Sequence, residues 1–225
     1  TFLTGVNTLF NALLNEAWFR DDPPKHLQIA IGGGSAIQRA VAERWQQVVG
    51  HPIYQAYGLT ETSPGVSANP LTGPVKPESI GIPYAGTYVR LVDDAGNPVP
   101  RGEPGELVVK GPQVMPGYWN RPEENEAAFT PDGFFRTGDI ASMDEDGYFY
   151  IVDRKKDMIL VSGFNVYPNE VEDVIAEHPG VRDVGVVGLP DEKTGEAVRA
   201  YVVKADDALS EQDVVEHCRK YLTNY

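Results

Sequence analysis

The sequence predicts a mixed α/β and β fold: a parallel strand–helix–strand unit, then a β subdomain of distorted-barrel character, then a small α+β domain. Three observations carry that ordering. Apolar residues first recur at helical spacing (Val6, Leu9, Phe10, Leu13, Leu14) and then alternate (Leu27, Ile29, Ile31). From about Ile80 the texture changes to short alternating runs cut by turn residues. After the charged run Asp153-Arg154-Lys155-Lys156 it changes once more, to helical and strand patterns in turn.

The opening helix is read from Val6 to Leu14, and the strand at Leu27 to Ile31 ends in Gly32-Gly33-Gly34. Ser35 followed by Gln38 has the spacing of a capping box, so a second helix is expected to start there. Its apolar side carries Ile37, Val41, Trp45 and Val48, and Gly50 suits its C-terminal cap. A second strand, Ile53 to Tyr57, runs into Gly58-Leu59-Thr60-Glu61-Thr62. Such a unit is expected to be parallel and right-handed. Ligands in open α/β sheets bind beyond the carboxyl ends of the strands, so the two glycine-bearing loops should converge on one pocket.

Tyr88 to Val92 and Gly105 to Lys110 read as strands around the turn Asp94-Ala95-Gly96-Asn97. Asp144-Glu145-Asp146-Gly147 closes another hairpin before Tyr148 to Val152. In the last part Pro168 fits the first turn of a helix burying Val171, Val174 and Ile175. Strands follow at Asp183 to Val187 and Val198 to Val203, and Ser210, three before Asp213, starts a final helix through Leu222. The domain boundary is expected near Lys156, between 1–155 and 156–225.

Composition narrows the classes. Over 225 residues, 41% apolar and 23% charged residues describe a packed globular chain. A net charge of −14 argues against a nucleic-acid surface, which needs clustered Lys and Arg. Local backbone N–H donors can still bind phosphate. Cys218 is the only cysteine, so no intrachain disulfide forms and the cytoplasm is the default compartment. It falls on the apolar side of a helical pattern and reads as a core thiol. His26, His51, His178 and His217 are scattered without metal-ligand spacing. No apolar run approaches the ~18–20 residues that span a bilayer, and the start does not read as a signal peptide.

Three short stretches carry chemistry. In Gln55-Ala56-Tyr57-Gly58-Leu59-Thr60-Glu61-Thr62, Tyr57 offers an adenine ring a flat partner and Gly58 admits close backbone approach. Thr60 and Thr62 offer hydroxyls and Glu61 a hard carboxylate for polyphosphate with Mg²⁺. In Phe134-Phe135-Arg136-Thr137-Gly138-Asp139, Asp139 can accept from both hydroxyls of a ribose; seen alone it also reads as a turn aspartate capping its own backbone. In Asp153-Arg154-Lys155-Lys156-Asp157, Arg154 can bond ribose or phosphate bidentately, whereas the run alone reads as a solvated linker.

Taken in order, YGLTET, GELVVKGPQVMPGYW from Gly105 to Trp119, FFRTGD and DRKKDMILVSGFNVYP resemble the adenylate-forming superfamily of acyl-CoA ligases, luciferases and peptide-synthetase adenylation domains. The wording DRKKDMILVSGFNVYPNEVED, with GVNTLFNALL near the start, looks most like bacterial long-chain fatty acid–CoA ligases. The resemblance implies that 1–155 ends a large nucleotide- and acyl-binding domain and that 156–225 begins a small mobile one. It implies that Gly32, Gly33 and Gly34 line the adenine and acyl pocket, that Tyr57 stacks on adenine and that Thr60 meets the α-phosphate. Glu61 would hold Mg²⁺ and Asp139 the ribose, with Arg154 assisting. Lys156 takes the hinge position, and Gly163 the loop that lines the channel for the pantetheine of coenzyme A.

The implied reaction joins a fatty acid to ATP as an acyl-adenylate and then to coenzyme A, with no covalent enzyme intermediate. The superfamily's Ser/Thr/Gly-rich phosphate loop and its C-terminal catalytic lysine have no counterpart between Thr1 and Tyr225. The chain is therefore expected to be an internal piece that is inactive by itself, and no catalytic lysine is assigned. The alternatives are an aryl or medium-chain acyl-CoA ligase and a silent nucleotide- or acyl-binding protein on the same fold. Partners are expected to be small molecules. Peripheral contact with the inner membrane and a homodimer stay open, and no basic amphipathic helix marks a membrane face.

Overall fold

A computed structural model describes residues 1–223, so Tyr225, the end point of the expected truncation, lies outside the described residues. The chain divides into two compact units, Thr1–Ile151 and Val152–Tyr225, four residues ahead of the expected boundary.

The first unit opens with a strand that has no signature in the sequence pattern, β1 (Phe2–Gly5), and continues through α1 (Asn7–Asn15) and α2 (Ala17–Asp21) to β2 (Ile29–Gly32). Helix α3 (Arg39–Val49) then leads to β3 (Ile53–Gly58). β1, β2 and β3 are parallel, with Ala30 beside Ile53 and Thr4 beside Ile31. Two short antiparallel strands, β4 (Gly65–Ala68) and β5 (Ile82–Pro83), complete the sheet in the order β1-β2-β3-β4-β5. The helices bury Phe10, Leu14, Phe19 and Trp45 over Ala30 and Ile53. Phe10 and Trp45 meet edge to face at 4.9 Å, the arrangement that ring quadrupoles prefer.

The capping box expected at Ser35 and Gln38 is absent. Helix α3 begins one residue after Gln38, whose side chain makes no cap bond. Its backbone N–H instead donates to Asn7 Oδ1 at 3.0 Å, so the acceptor comes from α1, 31 residues away. Ile37 is buried outside the helix, against Gly32. Gly50 does cap α3: it takes φ +82 and returns its N–H to Gln46.

The β subdomain is a meander of β6 (Tyr88–Val92), β7 (Gly105–Lys110), β8 (Phe135–Met143) and β9 (Phe149–Arg154), in that order. Val66, Leu91, Leu107, Val109 and Phe149 form its core. Phe149 also bridges to Gly81, beside β5. A short polar helix not expected from the sequence, α4 (Pro122–Ala128), buries no residue.

In the second unit a four-stranded sheet takes the order β11-β10-β13-β12. Its strands are β10 (Ile159–Val161), β11 (Phe164–Val166), β12 (Val181–Asp191) and β13 (Gly195–Lys204). β12 and β13 are longer than their apolar alternation indicated, because paired backbone carries the hairpin on to the Asp191–Thr194 turn. Helix α5 (Pro168–Ala176) starts at its proline as expected and buries Val171 and Ile175 against the sheet. Helix α6 (Glu211–Tyr221) opens with the full Ser210–Asp213 capping box.

Candidate functional site

The carboxyl ends of β2 and β3 carry the two glycine loops side by side. A Cβ on Gly33 would stand 2.9 Å from the Ala56 carbonyl, immediately before Tyr57, so the first loop lies directly on the second strand. Gln55, a buried side chain on β3, joins the loops further. Its Oε1 accepts from Ile37 N–H at 3.4 Å, and its amide donates to the Pro77 carbonyl. Gly32 packs against Ile37 and Ile53 with no room for a side chain, and Gly34 turns through φ +79. Gly32 and Gly33 are therefore required by the close approach of the chain to itself, and Gly34 by its left-handed backbone.

Gly58 is the sharpest such case. A Cβ there would fall 1.6 Å from the Pro64 carbonyl oxygen. The sequence alone assigns this glycine to ligand approach, but the group that approaches is its own turn. Thr62 needs the same correction. It is fully buried, and its hydroxyl accepts from Leu59 N–H at 2.9 Å and donates to the Pro64 carbonyl at 2.7 Å. Its hydrogen-bonding capacity is taken up inside the 3₁₀ turn Thr60–Thr62, whereas Thr60 is exposed.

Asp139 reaches the end of β3 through a bulge. Val108 pairs with Arg136 and Glu106 with Ile140, so β8 spends two more residues than β7 between those pairs. Gly138 takes φ +73 within the bulge. Bulges redirect side chains in this way. Arg136 is bound to the buried Glu106 at 2.8 Å, and Thr137 donates to the Leu107 carbonyl at 2.7 Å. Asp139, itself buried, accepts from the Tyr57 hydroxyl at 2.5 Å. Two predicted residues 82 positions apart thus meet directly.

Glu61 is half-buried, and its backbone carbonyl accepts from Met115 N–H at 2.8 Å. Its carboxylate accepts from the Tyr118 hydroxyl, also at 2.8 Å. Burial pushes the Tyr118 phenol up, and Glu61 adds to the rise, so Tyr118 stays a donor. Tyr118 lies within one of the motifs but is not marked by it as a site residue; nothing local in sequence signals a contact 57 residues away. Among the described residues no three His, Cys, Asp or Glu side chains gather as a metal cage. The donor present, one hard carboxylate, fits Mg²⁺, which takes one or two carboxylates and fills its octahedron with water and phosphate oxygens.

Arg154, Lys156 and Gly163 belong to the second unit. Arg154 ends β9, exposed, and Lys156 is exposed in the turn that Asp157 N–H closes onto the Arg154 carbonyl at 3.0 Å. Gly163, with φ +87 after Ser162 at φ +51, tips the two-residue β10–β11 hairpin. Positive φ at both positions is the type I′ turn favoured between twisted strands. The charged run is not wholly a solvated linker. Asp153 is buried and accepts from Arg154 N–H at 2.7 Å and from Asn169 N–H, in the first turn of α5, at 2.9 Å. Burial pushes its carboxyl up, and the two amides only partly offset that.

A shallow cavity of about 170 Å³ beside β6, lined by Leu91, Val99, Met143 and Phe149 among others, includes none of the predicted site residues. No helix among the described residues is long and apolar enough to cross a membrane.

Comparison with known proteins matches this geometry to a family. Residues 1–119 match the family model of the AMP-binding enzyme, and 170–225 match that of the AMP-binding enzyme C-terminal domain. The chain is 54% identical over its whole length to a long-chain-fatty-acid–CoA ligase of Escherichia coli. It is also 42% identical, over 95% of its length, to a feruloyl-CoA synthase of Amycolatopsis. It spans 40% and 43% of those two relatives. The crystal structure of ATP-bound MatB from Rhodopseudomonas palustris superposes with a TM-score of 0.95 at 36% identity, covering 99% of this chain and 44% of that one. With one family model matching more than half of the chain and the other ending it, the chain belongs to the AMP-binding enzyme family.

Proposed function

We propose that this chain carries nucleotide-site residues of a ligase that activates a long-chain fatty acid with ATP and transfers it to coenzyme A. The observation that carries the reading is the 2.5 Å contact between Tyr57 and Asp139. The base and sugar of a nucleoside are joined by one bond, so a ring that stacks on adenine and a carboxylate that accepts from ribose must be neighbours. The Tyr57 hydroxyl holds the Asp139 carboxylate, and the Tyr57 ring, partly buried against the core that includes Val66 and Phe149, is the flat partner proposed for the base. The 54% identity to a long-chain-fatty-acid–CoA ligase supports the substrate class, and the ATP-bound structure supports the nucleotide.

In this reading Gly32, Gly33 and Gly34 present backbone to the adenine and acyl groups, and Thr60 offers its exposed hydroxyl to the α-phosphate. Arg154 assists at the ribose. Glu61 would hold Mg²⁺, which supplies charge neutralisation at the phosphates. The fatty carboxylate attacks the α-phosphorus, pyrophosphate leaves, and the thiol of coenzyme A then displaces AMP from the acyl carbon. The residues act by orientation and electrostatics, since no side chain becomes acylated. The first unit is then the end of the nucleotide domain and the second the mobile one, turning at Lys156, with the Gly163 hairpin lining the thiol channel. The same reading carries a cytoplasmic setting with peripheral membrane access for the fatty substrate.

The second reading is an aryl-CoA ligase, favoured by the feruloyl-CoA synthase at 42% identity. Pyrophosphate exchange by the full-length protein, across carboxylates from acetate to oleate and including ferulate, separates the two. A maximum at long chains supports the proposal. A maximum at short or aromatic acids overturns it, and ATP binding without exchange on any acid identifies a silent binding protein.

A further inference from the structure

We propose that Tyr118 is a positioning residue for Glu61, fixing the direction in which its carboxylate meets the cation that accompanies the nucleotide; the proposal rests on the reading of Glu61 as the Mg²⁺ carboxylate. Glu61 is tied twice to one loop. Met115 N–H binds its carbonyl at 2.8 Å and so sets where the residue lies. The Tyr118 hydroxyl binds Oε1 at 2.8 Å and so sets where the carboxylate points.

Tyr118 is itself held by a closed pair of bonds. Its N–H donates to Asn125 Oδ1 at 2.6 Å, and Asn125 Nδ2 donates back to its carbonyl at 2.9 Å. Gly117 permits this, since it takes φ +143 and a Cβ there would stand 2.9 Å from Asn125 Oδ1. The polar helix α4, which buries nothing, thus has a structural reason to exist, because it supplies Asn125.

The choice of a phenol matters chemically. Mg²⁺ demands near-ideal octahedral geometry, and a lone carboxylate on a flexible side chain satisfies it only if its orientation is fixed beforehand. A lysine or arginine donor would fix the orientation but neutralise the charge the cation needs. Tyr118 donates one hydrogen bond to Oε1 and brings no positive charge of its own. Among the described residues Oε2 has no protein partner, so the second oxygen remains for the cation.

The experiment compares Y118F, N125A, E61Q and the double variant E61Q/Y118F in the full-length protein. Pyrophosphate exchange is measured across a Mg²⁺ titration at saturating ATP, Mg²⁺-dependent ATP binding without fatty acid is followed by calorimetry, and melting curves verify the folds. We expect Y118F to raise the Mg²⁺ requirement about tenfold, the low end for groups that orient metal ligands. Saturating Mg²⁺ should restore most of the rate, the KM for fatty acid should not move, and N125A should shift the same way by less. In the E61Q background Y118F should add nothing, because there is no carboxylate left to orient. A wild-type Mg²⁺ requirement in Y118F beside a shifted one in E61Q overturns the proposal, as do shifts that multiply in the double variant. A rate loss in Y118F that no Mg²⁺ concentration restores makes Tyr118 a loop staple and also overturns it. An unchanged Mg²⁺ requirement in E61Q is a separate result, which removes Glu61 from the metal site and the proposal with it.

Discussion

Gly58→Ala should unfold the turn after β3 rather than only weaken a ligand. The Pro64 carbonyl oxygen lies 1.6 Å from the position of the new methyl, and real Cβ contacts essentially never fall below 3.0 Å. The turn must open by more than an ångström. Opening it breaks the bonds from Thr62 N–H to the Leu59 carbonyl (3.0 Å), from Leu59 N–H to Thr62 Oγ1 and from the Thr62 hydroxyl to the Pro64 carbonyl. Each such bond contributes about 1 kcal/mol net, and a buried hydroxyl left unpaired costs about 1–3 kcal/mol more. The low end of that sum is about 4 kcal/mol. For a unit of roughly 150 residues this lowers the midpoint by roughly 10 °C, at about 2–4 °C per kcal/mol. Differential scanning calorimetry of the variant, with amide exchange at Leu59 and Thr62, measures it. A midpoint unchanged within about 2 °C, under 1 kcal/mol on the same scale, would refute the reasoning. Glycine would then serve the nucleotide alone.

Three further outcomes are expected. Asp153→Ala removes the acceptor of two amides, Arg154 N–H at the end of β9 and Asn169 N–H at the start of α5; a loss of about 2 kcal/mol follows from the charged hydrogen bonds, discounted for the burial that already strains this carboxylate. Faster amide exchange at Asn169 measures it, and unchanged exchange contradicts it. Lys76 binds Asp144 at 2.5 Å and Asp146 at 2.8 Å. Burial presses the Asp144 carboxyl up, but Lys76, the Tyr148 amide and the Tyr150 hydroxyl outweigh it and hold it at about 2, below the 3.8 of an unperturbed aspartate. A folded value below the unfolded one means stabilisation that is present above 3.8 and lost as pH falls through about 2. The melting difference between wild type and Lys76→Met should therefore be full at neutral pH and shrink toward pH 2, and a constant difference would count against it. Proline fixes φ near −65°, so Lys156→Pro in the full-length protein should spare acyl-adenylate formation within about tenfold while thioester formation falls much further; equal losses in separate single-turnover assays would make Lys156 an ordinary linker residue.

What could be read from the sequence was local in its physics. Alternation at Ile29 and Ile31, the glycine at 50, the proline at 168 and the Ser210–Asp213 box all act within a few residues, and each element appears where its pattern lay. β1 escaped because a four-residue edge strand whose neighbour lies some 27 positions on has no periodicity of its own. Ser35 and Gln38 misled because a distant asparagine supplies the acceptor that the capping box would have given. The motif residues were legible, but not their division of labour. Gly58 and Thr62 serve the turn and Arg136 serves Glu106, while Tyr118 supports Glu61 from another loop. Asp153 read as part of a solvated run because charge alone does not reveal that a helix start 16 residues later needs an acceptor.

That aspartate constrains any motion at the charged junction. Asp153 precedes Lys156 in the chain, and Asn169, to which it is fastened, follows it. Were the proposed hinge at Lys156 to turn α5 away from the end of β9, it would first have to part this pair and the neighbouring 3.3 Å bond from Asn169 to the Val152 carbonyl. A pivot placed there would come with a catch across it. Releasing the catch uncovers a carboxyl whose ionisation burial had opposed, so solvation rewards the open state. On the proposed hinge, swinging and staying put would be set against each other at a single side chain, and the timing of the movement would be a property of residue 153 as much as of residue 156.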